Sequence, residues 1–225
     1  MSERIATIIP ALNAERTLPQ VIEMARRQIE PVVVIDDGSS DRTGDVARAA
    51  GATVLRHDVN RGKGAALKTG FAWALEHGYD AVITLDADGQ HLPSEIPKFL
   101  AERESGGADL IIGGRSHLFG QMLPRRRNAN RFSAWCIAKC SGVDITDSQS
   151  GFRLYSAKLV RGMKLRTDGF DMESEVIVRA GRSGLRIVTI PIDLGFVDGL
   201  ATSHFKPLAD TARIAWTVTR ARLFW

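Results

Sequence analysis

The sequence predicts an α/β fold: a mostly parallel sheet between helices, in a single domain. Three observations carry this. Short apolar runs alternate with helix-patterned segments through the first half of the chain. Those runs are continuous rather than alternating with polar residues, which marks strands buried on both faces. The chain has 225 residues and is 44% hydrophobic, enough for one large domain with a real core.

The elements follow in order. Ile5–Ile9 is a β-branched run stopped by Pro10. Residues 15–29 place Leu18, Val21, Ile22, Ala25 and Ile29 at helical spacing. Val32–Ile35 is a buried-type strand, and Ser40 or Asp41 can cap a helix over 42–50. Residues 53–55 form a third strand, 63–77 a helix ended by Gly78, and 81–85 a fourth strand. Helix 94–104 and strand 109–112 complete a regular β-α alternation. Residues 116–131 are polar and basic and read as a mobile loop leading into a helix near 128–141. A strand over 152–155, a helix over 171–183 and strands within 186–196 follow. Residues 207–225 read as an amphipathic C-terminal helix, with Leu208, Ala212, Ala215, Trp216, Thr219 and Leu223 on one side. No Pro- or Ser-rich boundary marks a second domain.

Charge and cysteine content narrow the classes. The formal net charge is +4. Arg125, Arg126, Arg127 and Arg131 cluster, as do Arg213, Arg220 and Arg222. Such patches suit phosphates, acidic membrane surfaces or nucleic acid, or simply a solvated helix face. The basic residues lack interleaved aromatics and no reading motif is present, which argues against nucleic acid. No apolar run approaches the roughly 20 residues that span a bilayer, and no secretory signal opens the chain. Cys136 and Cys140 have no second pair for a zinc site, so a reduced, cytoplasmic location is expected.

The chemistry gathers where strands end. In open parallel sheets the ligand sits outside the carboxyl ends of the strands. Three predicted strand ends carry polar groups: Pro10-Ala11-Leu12-Asn13, Asp36-Asp37-Gly38 and Asp86-Ala87-Asp88. Asp86 and Asp88, separated by one small residue, can reach a common divalent cation, and an all-oxygen set suits Mg²⁺ or Mn²⁺. Gln90 lies close enough to help. The alternative is a polar turn closing a strand. Of Asp36 and Asp37, one reads as structural and the other as facing the site. Asn60-Arg61-Gly62-Lys63-Gly64 precedes a helix but matches neither phosphate-loop nor dinucleotide fingerprints. Its glycines are expected to allow close helix packing, with Lys63 near a bound nucleotide.

In this order the segments resemble one family. Ile9–Asn13, Val34–Asp41, Asn60–Gly64, Asp86–His91, Gly113–Arg115, Asp147–Arg153, Gly169-Phe170 with Glu173 and Glu175, and Ser203–Pro207 run nearly end to end. The chain resembles family 2 glycosyltransferases of the nucleotide-sugar-binding GT-A fold, in the dolichyl- or polyprenyl-phosphate mannose synthase branch. That resemblance implies Asp86 and Asp88 on the metal with Gln90 beside it, and Ala87 near the ribose. It implies Pro10, Leu12 and Asp37 lining the nucleotide pocket, with Glu15 as the equivalent of an Asn-Glu pair. Lys63 is placed near the nucleotide, Arg115 on the diphosphate, and His204 and Lys206 near the donor phosphates. Leu12 stands where a tyrosine is usual, and the arginine expected shortly before Ser203 is absent.

The implied reaction is an inverting, metal-dependent transfer of a hexose from a GDP- or UDP-sugar. A polyprenyl-phosphate acceptor is already ionised and needs no base, whereas a hydroxyl acceptor needs a positioned carboxylate. Asp147 is either that base or a holder of its loop. Segment 115–131 would be a mobile acceptor loop. Glu173 and Glu175 either line the acceptor side or cap a helix. The C-terminal helix either lies on a membrane or packs on the core or a second subunit. The alternatives are transfer to a glycan or small-molecule hydroxyl, and a non-catalytic nucleotide-sugar-binding protein. A peripheral position at the cytoplasmic membrane face and a homo-oligomer are compatible with the first reading.

Overall fold

The computed structural model describes residues 3–121, 124–195 and 207–224. The strands are β1 (Ile5–Ala11), β2 (Val32–Asp36), β3 (Thr53–Arg56), β4 (Ala81–Thr84), β5 (Leu110–Gly114), β6 (Arg153–Ser156) and β7 (Ile187–Pro191). They form one sheet in the order β3-β2-β1-β4-β6-β5-β7. β6 runs antiparallel to both β4 and β5, and every other pairing is parallel. The mostly parallel α/β architecture therefore stands.

The helices are α1 (Leu18–Arg26), α2 (Thr43–Ala49), α3 (Lys63–Glu76), α4 (Ile96–Gly106), α5 (Pro124–Ser141), α6 (Ala157–Gly162), α7 (Met172–Arg182) and α8 (Pro207–Phe224). They divide between two cores. One face of the sheet packs Leu18, Ile22, Ala47, Ile96 and Phe99 from α1, α2 and α4. The other packs Leu67, Phe71, Ile137, Leu159, Val176 and Val218 from α3 and α5–α8. Sheet residues such as Ile8, Val33, Val34 and Ile83 are wholly buried, as continuous apolar strands require.

Four expectations need correction. First, β1 does not stop at Pro10 but runs to Ala11. The Thr7 amide donates toward the β2 side and Ile8 O accepts from Leu85 N on the β4 side. By alternation Pro10 lacks its N–H on the β4 side, where β4 has already ended at Thr84, so no ladder bond is lost. Second, segment 115–131 is not one loop. Ser116–Gln121 is a 3-10 helix, and α5 starts at Pro124 rather than near 128. Proline is well suited to a first helical turn, where its missing N–H is an orphan anyway. Third, the stripe chosen on the C-terminal helix is the outer one. Ile214, Thr217, Val218 and Ala221 are buried, whereas Trp216 and Leu223 are 65% and 63% exposed. Fourth, α1 covers only Leu18–Arg26, not 15–29.

α5, α7 and α8 run side by side with their C-terminal ends together. Arg222 Nη1 donates to Cys140 O at 3.2 Å. Gly181 lies so close to α5 that a Cβ there would sit 2.7 Å from Ser141 O. Cys136 and Cys140 are free thiols.

Candidate active site

A cavity of about 480 Å³ opens at the carboxyl ends of β1, β2 and β4. Pro10, Leu12, Glu15, Asp37, Lys63, Asp86, Ala87 and Asp88 all line it. Gln90, Arg115 and Asp147 do not line it. His204 and Lys206 fall outside the described residues, and so does Trp225.

The wall formed by the loops after β1 and β2 is held by loop-to-loop hydrogen bonds. Asn13 takes a left-handed conformation (φ 51°), which asparagine tolerates. Its amide donates to Ser39 Oγ (3.0 Å) and its Oδ1 accepts from Ser40 N (2.9 Å). Glu15 N donates to Asp41 Oδ2 (3.2 Å), and Glu15 Oε2 accepts from Arg42 N (3.1 Å). Glu15 thus braces the two loops. Thr17, which the sequence did not single out, donates to Ala87 O at 2.7 Å and ties the start of α1 to the acidic turn.

The two neighbouring aspartates separate as their environments dictate. Asp36 is wholly buried; it accepts from Ser39 N (2.9 Å) and pairs with Arg56 (3.2 Å). Asp37 faces the cavity. It accepts from Arg61 N (3.0 Å) and Gly62 N (2.8 Å) and contacts His57 Nδ1 at 2.6 Å. His57 Nε2 in turn lies 2.9 Å from Thr69 Oγ1. Asp37 therefore shapes the wall by fixing the loop before α3. Gly38 permits this: at φ 73° a Cβ would meet Val59 C at 2.5 Å. His57 lies 20 residues from Asp37 in sequence, and no local signal pairs them.

The acidic turn lies at the end of β4. Asp86 Oδ1 is 2.7 Å from Lys63 Nζ, and that ammonium is 3.1 Å from Glu173 Oε2. Asp88 Oδ1 accepts from Gln90 N at 3.0 Å, so the contact observed for Gln90 is through its backbone. Burial works against ionisation of Asp86, but Lys63 and His91 outweigh it and hold the carboxyl below its ordinary range. Asp88 is displaced upward, by burial and then by the charge of Asp86. Gly151, from the loop before β6, covers this turn. A Cβ there would lie 2.7 Å from both Asp86 oxygens and 2.6 Å from Lys63 Nζ.

Arg115, just past β5, is held by Asp147. Its backbone N–H, Nε and Nη2 donate to that carboxylate at 3.0, 2.7 and 3.1 Å. Asn130 Nδ2 (2.8 Å) and Gln149 N (3.2 Å) complete the shell. Burial opposes the charge of Asp147, yet Arg115 holds its carboxyl below the ordinary range. Arg115 in turn lowers the Asp86 carboxyl through space, so its guanidinium charge reaches the acidic turn.

The residues present fit a hard divalent cation. Asp86 and Asp88 both line the cavity at the end of β4, Asp86 meets the Lys63 ammonium, and burial, followed by the charge of Asp86, displaces Asp88 upward. Oxygen donors suit Mg²⁺ or Mn²⁺. Among the described residues no group of three or more His, Cys, Asp or Glu gathers as a complete ligand set. Such an ion characteristically completes its shell with substrate phosphates and water.

His91 gives the site a pH signature. Burial pushes it down to about 4, and Arg115 and Lys63 add to this against the pull of Asp86. Between about pH 6.5 and pH 4 the unfolded chain binds a proton that the folded chain does not. Stability therefore falls on acidification across that window and is unaffected by this group above it, by at most about 3 kcal/mol. Chemical denaturation of metal-free protein across the window is expected to show this loss, and His91→Gln a shallower one. Parallel slopes for the two proteins would refute the assignment.

Residues 6–162 match the family Glycosyl transferase family 2. The chain is 34% identical over 202 residues to an undecaprenyl-phosphate mannosyltransferase of Micrococcus luteus, covering 84% of this chain and 82% of that protein. It is 31% identical over 209 residues to a polyprenol monophosphomannose synthase of Mycolicibacterium smegmatis, covering 85% and 77%. A glucosyl-3-phosphoglycerate synthase structure from Mycobacterium tuberculosis, in complex with Mn²⁺ and UDP-glucose, superposes with a TM-score of 0.69. It shares 21% identity, over 98% of this chain and 78% of that one, and so shares the fold.

Proposed function

This chain belongs to glycosyl transferase family 2, and we propose that it moves a hexose, with inversion, from a GDP- or UDP-sugar to a polyprenyl phosphate. The observation that carries the acceptor class is the engagement of the site's carboxylates. Asp147 holds Arg115, Glu173 pairs with Lys63, Asp37 holds the loop before α3, and Glu15 braces Arg42. Asp86, which also meets Lys63 at 2.7 Å, and Asp88 are the pair proposed for the metal. A lipid phosphate, ionised near neutral pH, attacks without a general base. The named relatives that act on undecaprenyl and polyprenol phosphates support this choice.

When bound by Asp86 and Asp88, the divalent ion supplies Lewis-acid stabilisation of the diphosphate leaving group. The acceptor oxygen forms a bond to the anomeric carbon from the face opposite the diphosphate. The carbon–oxygen bond to the diphosphate breaks, and the nucleoside diphosphate leaves with the electron pair. Arg115, fixed by Asp147, presents positive charge to the side where the leaving group gains negative charge. Asp147 acts through Arg115. Leu12 and Pro10 give the nucleotide an apolar wall. Lys63 is poised beside the phosphate region, and His204 and Lys206 are assigned to it on sequence grounds.

The donor reading is tested by thermal shift with GDP-, UDP- and dTDP-sugars, each with and without Mn²⁺. One nucleotide is expected to raise the melting temperature, more so with the ion. A flat response to every nucleotide would overturn the assignment.

The acceptor reading includes a membrane surface. Phe132 and Trp135 on α5, and Trp216, Leu223 and Phe224 on α8, are all exposed. Exposed Arg131, Arg213 and Arg220 lie among them. Apolar side chains interspersed with arginines suit an anionic bilayer, each arginine contributing about 1 kcal/mol. The proposed association is peripheral, at the cytoplasmic face; no described helix is long and apolar enough to cross a membrane. Co-sedimentation with phosphatidylglycerol vesicles is expected at low salt and is weakened in Trp216→Ser/Leu223→Ser. Absence of binding at low salt, or a dimer that the same double variant dissolves, would remove the lipid surface from the proposal. A glycan or small-molecule hydroxyl acceptor would instead need Asp147 as base. Asp147→Asn would then abolish transfer to that hydroxyl while donor binding survived.

A further inference from the structure

Lys63 is the first residue of α3, and its side chain is only 15% exposed. A cation at a helix N-terminus is disfavoured by the helix dipole, so anions must hold it there. Asp86 does so at 2.7 Å and Glu173 at 3.1 Å. Gly151 closes the space above: any Cβ would come within 2.6 Å of Nζ. The ammonium is therefore packed against a carboxylate assigned to the metal. Glu173 offers a second resting place, because its Oε1 is buried and has no hydrogen-bond partner.

We propose that Lys63 is a built-in counter-ion of the acidic pair, which exchanges Asp86 for Glu173 when a divalent ion binds. The proposal rests on the metal reading above. Two cations sharing Asp86 in a partly buried site repel each other. An ion arriving alone must displace the ammonium without compensation. A nucleoside diphosphate arriving with it brings negative charge that offsets both cations. Metal binding is then weak alone and strongly coupled to nucleotide, and the coupling is reciprocal.

The experiment measures Mn²⁺ affinity by the paramagnetic resonance signal of the free ion, with and without the nucleoside diphosphate that stabilises the protein. Lys63→Met keeps the stem and removes the charge. It is expected to tighten Mn²⁺ alone by at least about tenfold and to shrink the nucleotide's enhancement by a similar factor. Glu173→Gln removes the alternative resting place and is expected to weaken Mn²⁺ alone, the opposite sign. Lys68→Met makes the same charge change elsewhere on α3, where Lys68 pairs with Asp168, and is expected to leave Mn²⁺ affinity unchanged. Melting curves establish that each variant folds, and Glu173→Gln decides the matter if Lys63→Met does not. Unchanged or weaker Mn²⁺ binding in Lys63→Met, or tighter binding in Glu173→Gln, would overturn the exchange alone. Wild type that binds no Mn²⁺ even with saturating nucleotide would overturn the metal reading and this inference with it.

Discussion

Asp88→Ala is expected to reduce sugar transfer by at least about a thousandfold and to erase the effect of Mn²⁺ on nucleotide binding. Asp88 has a small structural share in the fold: its side chain accepts one hydrogen bond, from Gln90 N. Its upward displacement arises from burial and the nearby charge of Asp86. Removing it relieves that repulsion, so the folded protein is expected to melt no lower than wild type when metal is absent. On the proposed mechanism the diphosphate leaving group would lose its Lewis acid, and the barrier would rise by several kcal/mol. Initial rates and nucleotide melting shifts, measured with and without Mn²⁺, check both halves. Wild-type turnover in Asp88→Ala would refute the assigned chemistry.

Arg153→Leu is expected to be the most destabilising single change in the site region. Arg153 is wholly buried at the start of β6. Its guanidinium donates to Ser150 O, Glu173 O and Ser148 O, each at 2.7 Å. These carbonyls belong to the loop bearing Asp147 and Gly151 and to the first turn of α7. Leucine fills much of the volume but donates nothing, and each buried carbonyl left without a partner costs about 1–3 kcal/mol. A loss of about 3–5 kcal/mol corresponds to a melting decrease of about 10 °C for a chain of this size. Calorimetry measures it, and a decrease of under about 2 °C would show that water replaces the guanidinium.

How much was legible before the structure depended on the kind of signal each part leaves. The strands of the first half were readable because burial on both faces forces runs such as Val32-Val33-Val34-Ile35. The ends of β1, β2 and β4 identified the cavity for the same reason: polar groups appear where the apolar run stops. The start of α5 was not readable, because Pro124 to Arg131 carries almost no apolar residue to set a period. The direction of β6 was hidden too, since an apolar run looks the same either way. On α8 two apolar stripes compete, and burial of Ile214, Val218 and Ala221 decides between them. In the site, Asp86, Asp88 and Lys63 stood out by motif. The partners that give them their properties lie far along the chain: Glu173 for Lys63, His57 for Asp37, and Gly151 against Asp86. Spacing within a motif carries no information about such pairs.

The reversed strand has a consequence for the segment that joins β5 to β6. β5 and β6 are neighbours, with Ile112 opposite Arg153, so the chain leaves the sheet after Gly114 and re-enters beside its point of departure. Everything between, including α5, is an excursion that begins and ends at one spot. Lengthening it adds only the slowly growing entropy of a larger closed loop. The excursion can therefore change in length while the seven strands keep their alignment.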